Sequence, residues 1–153
     1  MMRKSWLVGI AALAVEGAAI ACSCMATDDP VQLRQFAAEA AEGAVALVEA
    51  EALTAFDPVR GGEQVVVRRT LAGRAPQEFR IERGPLASGA SCDNLFEVGQ
   101  RRVIILYPVT NAGRTAAVYR ASSMCTDLLL DKPTFRDAVA KRIGSPQRGP
   151  ERG

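Results

Sequence analysis

The chain contains no histidine. That removes the Ser-His-Asp triad, the histidine-ligated metal site and the imidazole proton shuttle. It also lacks a charge excess: 19 basic residues face 17 acidic ones, a net of +2, so the electrostatic footprint of a nucleic-acid binder is missing. The apolar run from Trp6 to Val15 falls short of the ~20 residues a transmembrane helix needs. There is no Cys-x-x-Cys knuckle, no internal repeat and no low-complexity domain. A chain of 153 residues is long enough for one core. Nothing in it calls for a cofactor or a metal of its own.

What is there begins with a processing signal. Arg3 and Lys4 give a basic start, the run Trp6 to Val15 follows, and Glu16-Gly17 ends it. Ala19-Ile20-Ala21 supplies small residues where a signal peptidase reads. This is the three-part secretory pattern. It predicts a signal peptide over 1–21, a mature chain starting at Cys22, and a secreted or periplasmic location with no membrane span after cleavage. A buried N-terminal helix is the competing reading, and the basic start and Glu16 argue against it. A lipoprotein anchored at Cys22 is a second alternative. The position where a lipobox has leucine is Ala19, set apart from the apolar run by Glu16 to Ala18, so ordinary cleavage fits better.

The four cysteines, Cys22, Cys24, Cys92 and Cys125, all survive that cleavage. An even number in an exported chain reads as two disulfides. Bridging Cys22 to Cys24 would strain a one-residue ring. The other two connectivities each tie both halves of Cys-Ser-Cys to Cys92 and Cys125. Zinc binding is disfavoured because Cys92 and Cys125 are isolated. A nucleophilic thiol would lack a histidine base.

Along the mature chain, Asp29-Pro30 opens a helix with an N-cap and a first-turn proline. Leu33, Phe36, Ala37 and Ala40 carry its apolar stripe to Gly43. Val45 to Leu53 alternates, with Ala46, Val48, Ala50 and Ala52 on one face and Glu49 and Glu51 on the other. Val65 to Leu71 is β-branched, and Phe79 to Glu82 alternates again. Gly84 to Asn94 reads as a loop. Arg102 to Tyr107 and Thr115 to Ala121 are strands around a turn at Asn111-Ala112-Gly113. Pro133 to Ile143 predicts a closing helix, and residues 144–153 read as a disordered tail. The fold class is therefore mainly β: a five-stranded antiparallel barrel with one helix before and one after it. Val103, Ile105 and Phe79 are expected inside the barrel, with Phe36 docking the first helix.

The layout resembles the netrin-like module, in particular the N-terminal domain of the tissue inhibitors of metalloproteinases. Cys22-Ser23-Cys24 stands directly after the cleavage site, and a helix and three strands follow. Cys92 lies in the loop before the fourth strand, Gly99 leads into Val103 to Leu106, and Cys125 follows the fifth strand. The resemblance covers about residues 22–130, and the domain is drawn over 22–143. Departures are plain: Met25-Ala26 stand where the family has an early proline, Asp93 stands where glycine often follows the loop cysteine, and the family's third bridge is missing.

The resemblance implies an OB-like barrel and the pairings Cys22–Cys92 and Cys24–Cys125. It also implies a function. The inhibitors chelate a protease zinc through the amine and carbonyl of their N-terminal cysteine, here Cys22. Ser23 would enter the specificity pocket, and Ser88, Gly89, Ala90 and Ser91 would form a second contact edge. The partner would be a secreted zinc metalloprotease. The alternative is a non-inhibitory binding or scaffolding module for another envelope or extracellular protein, because fold alone does not fix function. An enzyme is not expected, since Asp93 and Glu97 read better as solvated carboxylates than as an acid–base pair. Arg68-Arg69 and Arg101-Arg102 could bind a polyanion, but such pairs usually sit on solvated strand faces.

Overall fold

A computed structural model describes residues 24, 26–57, 59, 62–83, 95–109, 118–145 and 147–148. The expected signal peptide, the 111–113 turn and residues 149–153 lie outside them.

Helix α1 runs Pro30–Ala41. Asp29 caps it, its Oδ1 accepting from Val31 N at 2.8 Å, and Pro30 occupies the first turn, where a missing N–H costs nothing. Five strands then build the barrel: β1 Ala46–Ala52, β2 Gly62–Ala75, β3 Glu78–Glu82, β4 Arg101–Pro108 and β5 Val118–Ala121. β1 pairs antiparallel with both β2 and β4, β2 with β3, and β4 with β5. The ring closes through β3 and β5, which run parallel, Arg80 opposite Val118 and Ile81 opposite Tyr119. The five-stranded, mainly-β barrel expected from the sequence is present; one of its pairings, β3–β5, is parallel rather than antiparallel, and the reason is parity. Strand directions cannot alternate around a closed ring of five, so one neighbouring pair must run parallel.

Two close approaches explain glycines in the long strand β2. A Cβ on Gly62 would lie 1.8 Å from the carbonyl oxygen of Ile81, where β2 meets β3. Gly73 has φ +69°, and its Cβ would meet Val45 O at 2.1 Å. Its φ favours glycine, and so does the lack of room.

The strands bury two distinct apolar layers. Inside the barrel lie Val48, Val65, Phe79, Ile81, Ile104 and Leu106, with Ala46, Ala50 and Ala52 lining β1. Outside it, Leu47, Ala72 and Ile105 sit side by side across β1, β2 and β4. They are covered by Leu33 and Ala37 of α1 and by Phe135 and Val139 of α3, which spans Pro133–Ile143. Two core expectations are thereby corrected. Val103 and Ile105 face the helices rather than the barrel interior, because Ile104 and Leu106 take the inward parity. Phe36 does pack α1 against this layer, though it is only half-buried, and Leu33 and Ala37 are the buried residues of that helix.

A further helix, α2, spans Met124–Leu130, so two helices follow the barrel rather than one. Ser123 caps it, accepting from Thr126 N. Beyond α3 two further contacts join the chain to β2. Gly144 O accepts from Gly73 N at 3.0 Å, and Gln147–Arg148 (β6) pair parallel with Arg74–Ala75. Among the described residues no helix is long and apolar enough to cross a membrane.

Candidate functional site

One end of the barrel carries a buried ion pair and the ends of four strands. The end of β1, the starts of β2 and β4, and the end of β3 meet there. Gly99 N donates to Ala52 O at 2.8 Å, Glu51 stands opposite Arg101, and Gly62 stands opposite Glu82. The chain leaves this end after Arg83 and is described again from residue 95.

Glu63 sits at the centre of this end. Its side chain is fully buried, and so, within a few per cent, is that of Arg83. The Arg83 fork donates Nε to Oε2 at 3.0 Å and Nη2 to Oε1 at 3.3 Å. The same Oε1 accepts the backbone N–H of Phe96 at 3.2 Å. A bidentate guanidinium–carboxylate pair with a third donor satisfies much of what burial takes from both charges. Phe96 itself plugs the barrel interior, and the Arg102 guanidinium lies 5.1 Å from its ring centroid, a cation–π distance.

The N-terminal anchor approaches from the neighbouring side. Cys24 is joined to Cys125 in the first turn of α2, across a sequence separation of 101. The preceding Ser122 is buried, its Oγ accepting Ile105 N at 3.1 Å and donating to Asp127. Met124, Asp127 and Leu128 of α2 face Arg101, Arg102 and Val103 across an open groove of about 470 Å³. Cys125 thus adjoins a groove whose other wall carries Arg102, the residue stacked on Phe96. Downstream of Cys24, Asp28 pairs with Lys132 at the start of α3, and Thr27 bonds Gln32 at 2.8 Å.

Of the predicted site residues, Cys24 and Cys125 are described, and they are joined to each other. Cys22, Ser23, Ser88, Gly89, Ala90 and Ser91 lie outside the described residues, as do Cys92 and the Cys22–Cys92 pairing. Three of the four paired arginines, Arg68, Arg69 and Arg101, stand in ion pairs with carboxylates of β1, whereas Arg102 donates to Gln100 and stacks on Phe96. Glu51 Oε2 accepts Arg68 Nε at 2.9 Å and Arg101 Nε at 2.7 Å, and Glu49 meets Arg69 at 3.5 Å. The Arg68 hydrogen bond, then that of Arg101, lowers the Glu51 carboxyl to about 2. Tyr107, whose hydroxyl donates to Ala40 O, is pushed above its usual value, chiefly by burial. Among the described residues no three cysteine, aspartate or glutamate side chains cluster to hold a metal.

The sequence reading missed Glu63. The available signal was parity: Glu63 shares its strand face with Val65, which lies inside the barrel. A charge on an inward position needs a partner, and that should have drawn the search to Arg83. Compared with known proteins, the chain matches no family model, no curated protein and no solved structure.

Proposed function

We propose that this chain is an exported inhibitor of zinc metalloproteases that chelates its target's zinc through the α-amino group and carbonyl oxygen of Cys22. The observation that carries the reading is the Cys24–Cys125 disulfide. It ties Cys24 to the first turn of α2, a helix that shares an open groove with Arg101 and Arg102 of β4. Two residues span at most about 7 Å, so Cys22 stays within that reach of its tethered neighbour. Tethering removes ordering cost that a free terminus would meet on binding.

The chemistry is ordinary coordination. An α-amino group has a pKa near 7.7–8.0, so zinc displaces its proton close to neutrality. A catalytic zinc keeps an open position that takes nitrogen and oxygen donors. Ser23, small and polar, enters the specificity pocket and sets a broad preference. Ser88, Gly89, Ala90 and Ser91 add the second contact edge. The arginine pairs support this over polyanion binding, since Arg68, Arg69 and Arg101 already neutralise Glu49 and Glu51.

The test adds one alanine before Cys22 and assays native and extended proteins against a panel of secreted metalloproteases. The extension turns the amine into an amide, a poor ligand, and fills the space the zinc needs. Inhibition by the native protein and none by the extended one, with the disulfides intact, is the expected result. Inhibition that survives the extension, or no inhibition by the native protein, returns the chain to a binding module working through another face. Intact mass spectrometry of the exported protein would report the start at Cys22, and acylation there would overturn the reading without any protease.

A further inference from the structure

We propose that the groove between α2 and β4 is a self-association surface, and that its occupant is a second copy of this chain related by a two-fold axis. This surface is independent of the Cys22 chemistry.

The groove opens where the helical cover of the outer strand face ends. Glu49 and Val103 stand opposite each other across β1 and β4, and Glu51 and Arg101 follow on the same face. Leu47 and Ile105, one step back, are fully covered. Val103 is half-buried, and Arg101 keeps 61% of its side chain in water. Across from them α2 presents Met124, Asp127, Leu128 and its C-cap Asp131, spaced i, i+3, i+4 and i+7, one stripe of a helix. Leu128 is 55% exposed, and of the large apolar side chains exposed among the described residues it is the one that lines the groove.

The two walls carry opposite charge. On the strand side the four guanidiniums of Arg68, Arg69, Arg101 and Arg102 stand over two carboxylates, Glu49 and Glu51. Glu51 Oε2 accepts from both Arg68 and Arg101, so one carboxylate serves two cations. On the helix side Asp127 and Asp131 stand with no basic residue within α2. The charges do not fully cancel across the groove. Arg101 turns to Glu51, and the Asp131 carboxylate has no hydrogen-bond or ion-pair partner among the described residues.

A surface ordered positive, apolar, negative is matched by one ordered negative, apolar, positive. A two-fold rotation about an axis beside Leu128 turns the first order into the second, so a second copy supplies the match. Arg101 of each copy then faces Asp131 of the other, and the two Leu128 side chains meet near the axis and leave water. The groove is small and its rim is wet. The dimer therefore belongs to the weak class that buries under about 1,200 Å², and salt loosens it.

Sedimentation velocity of the exported protein over a micromolar-to-millimolar series, at low and high salt, reads the association. The native protein should pass from monomer to dimer, with a higher midpoint in salt. Leu128→Lys, which sets two cations near the axis, should stay monomeric throughout. Asp131→Arg and Arg101→Asp should each raise the dissociation constant about tenfold or more, because like charges then face each other at both ends. An equimolar mixture of those two variants should dimerise again, because that pairing sets a cation against a carboxylate at both ends once more. Melting temperatures read alongside report that each variant is folded; should Arg101→Asp melt early for want of its Glu51 bond, Leu128→Lys and Asp131→Arg decide alone. A native protein that is monomeric at every concentration overturns the proposal and leaves the groove to a segment of a different protein. A dimer that Leu128→Lys and Asp131→Arg do not weaken forms through another face and overturns it equally. Loss in both charge variants without recovery in a mixture of folded chains excludes the two-fold arrangement.

Discussion

The inside of the barrel and the layer laid on its outside are held by different means. Inside, strands hydrogen-bonded into a closed ring enclose Val65, Phe79, Ile81, Ile104 and Leu106, and a buried ion pair with Phe96 stoppers one end. Outside, α1, α2 and α3 cover one patch of strand surface through apolar contacts, one disulfide and the Asp28–Lys132 pair. The difference teaches that the ring is self-contained, whereas the helices are an attached layer. Cys24, the tether that the proposed function depends on, is joined to the attached layer.

The largest test of that contrast is the disulfide. Replacing Cys24 and Cys125 by serine frees a tie across a sequence separation of 101. For a loop of about 100 residues the chain-entropy model assigns roughly 4–5 kcal/mol, and the denaturation midpoint should fall accordingly. Native-state exchange should show residues 26–29 and α2 loosened, with β1, β2 and β4 still protected. Loss of barrel protection under native conditions would mean that the disulfide holds the ring itself and that the two regions are one unit.

Within the outer layer, burial ranks the phenylalanines. Phe135 is fully buried between α3 and the strands, so Phe135→Ala should cost about 3–5 kcal/mol. Phe36 packs at the edge of the same cluster and keeps part of its surface in water, so Phe36→Ala should cost about 1–2 kcal/mol, less than a full-burial value. Equal losses in thermal or urea unfolding would show that α1 docks more deeply than its half-buried ring implies.

These two rings also mark how far the sequence could be read. The helix 133–143 and the strand at Phe79 were legible because each had one covered face, which left a clean period of 3.6 or 2. β4 defeated the same method. Val103 to Leu106 is apolar on both faces, since one meets the barrel interior and the other the helices, so period alone could not say which side Ile105 took. The short helix α2 was missed because seven residues carry too few turns for a periodic signal, though Ser123 and Thr126 offered the cap. The odd number of strands already required a parallel pair in any closed ring, though not that it would be β3 and β5. Glu63 was missed because a lone carboxylate among valines looks like a surface residue until its parity with Val65 is followed.

The smallest effect separates two glutamates on opposite sides of the barrel wall. Glu63 faces in and Glu51 faces out, between Arg68 and Arg101. The Arg68 and then the Arg101 hydrogen bond hold the Glu51 carboxyl down at about 2, well below the ordinary carboxylate range. A carboxyl depressed in the folded state stabilises the fold above its unfolded pKa and loses that contribution as pH falls through the folded value. The contribution of Glu51 is therefore complete above about pH 5 and fades between there and about pH 1. Glu51→Gln should unfold somewhat earlier than the native protein at pH 7, and the gap should narrow as pH falls and close at about pH 1. Because Glu51 sits at the surface, added salt should narrow the gap at pH 7 as well. The Glu63→Gln gap should resist salt, since water and ions do not reach that pair. If both gaps respond to salt alike, the barrel end around Glu63 is open to solvent, and the contrast between inside and outside fails where it matters most for the proposed site.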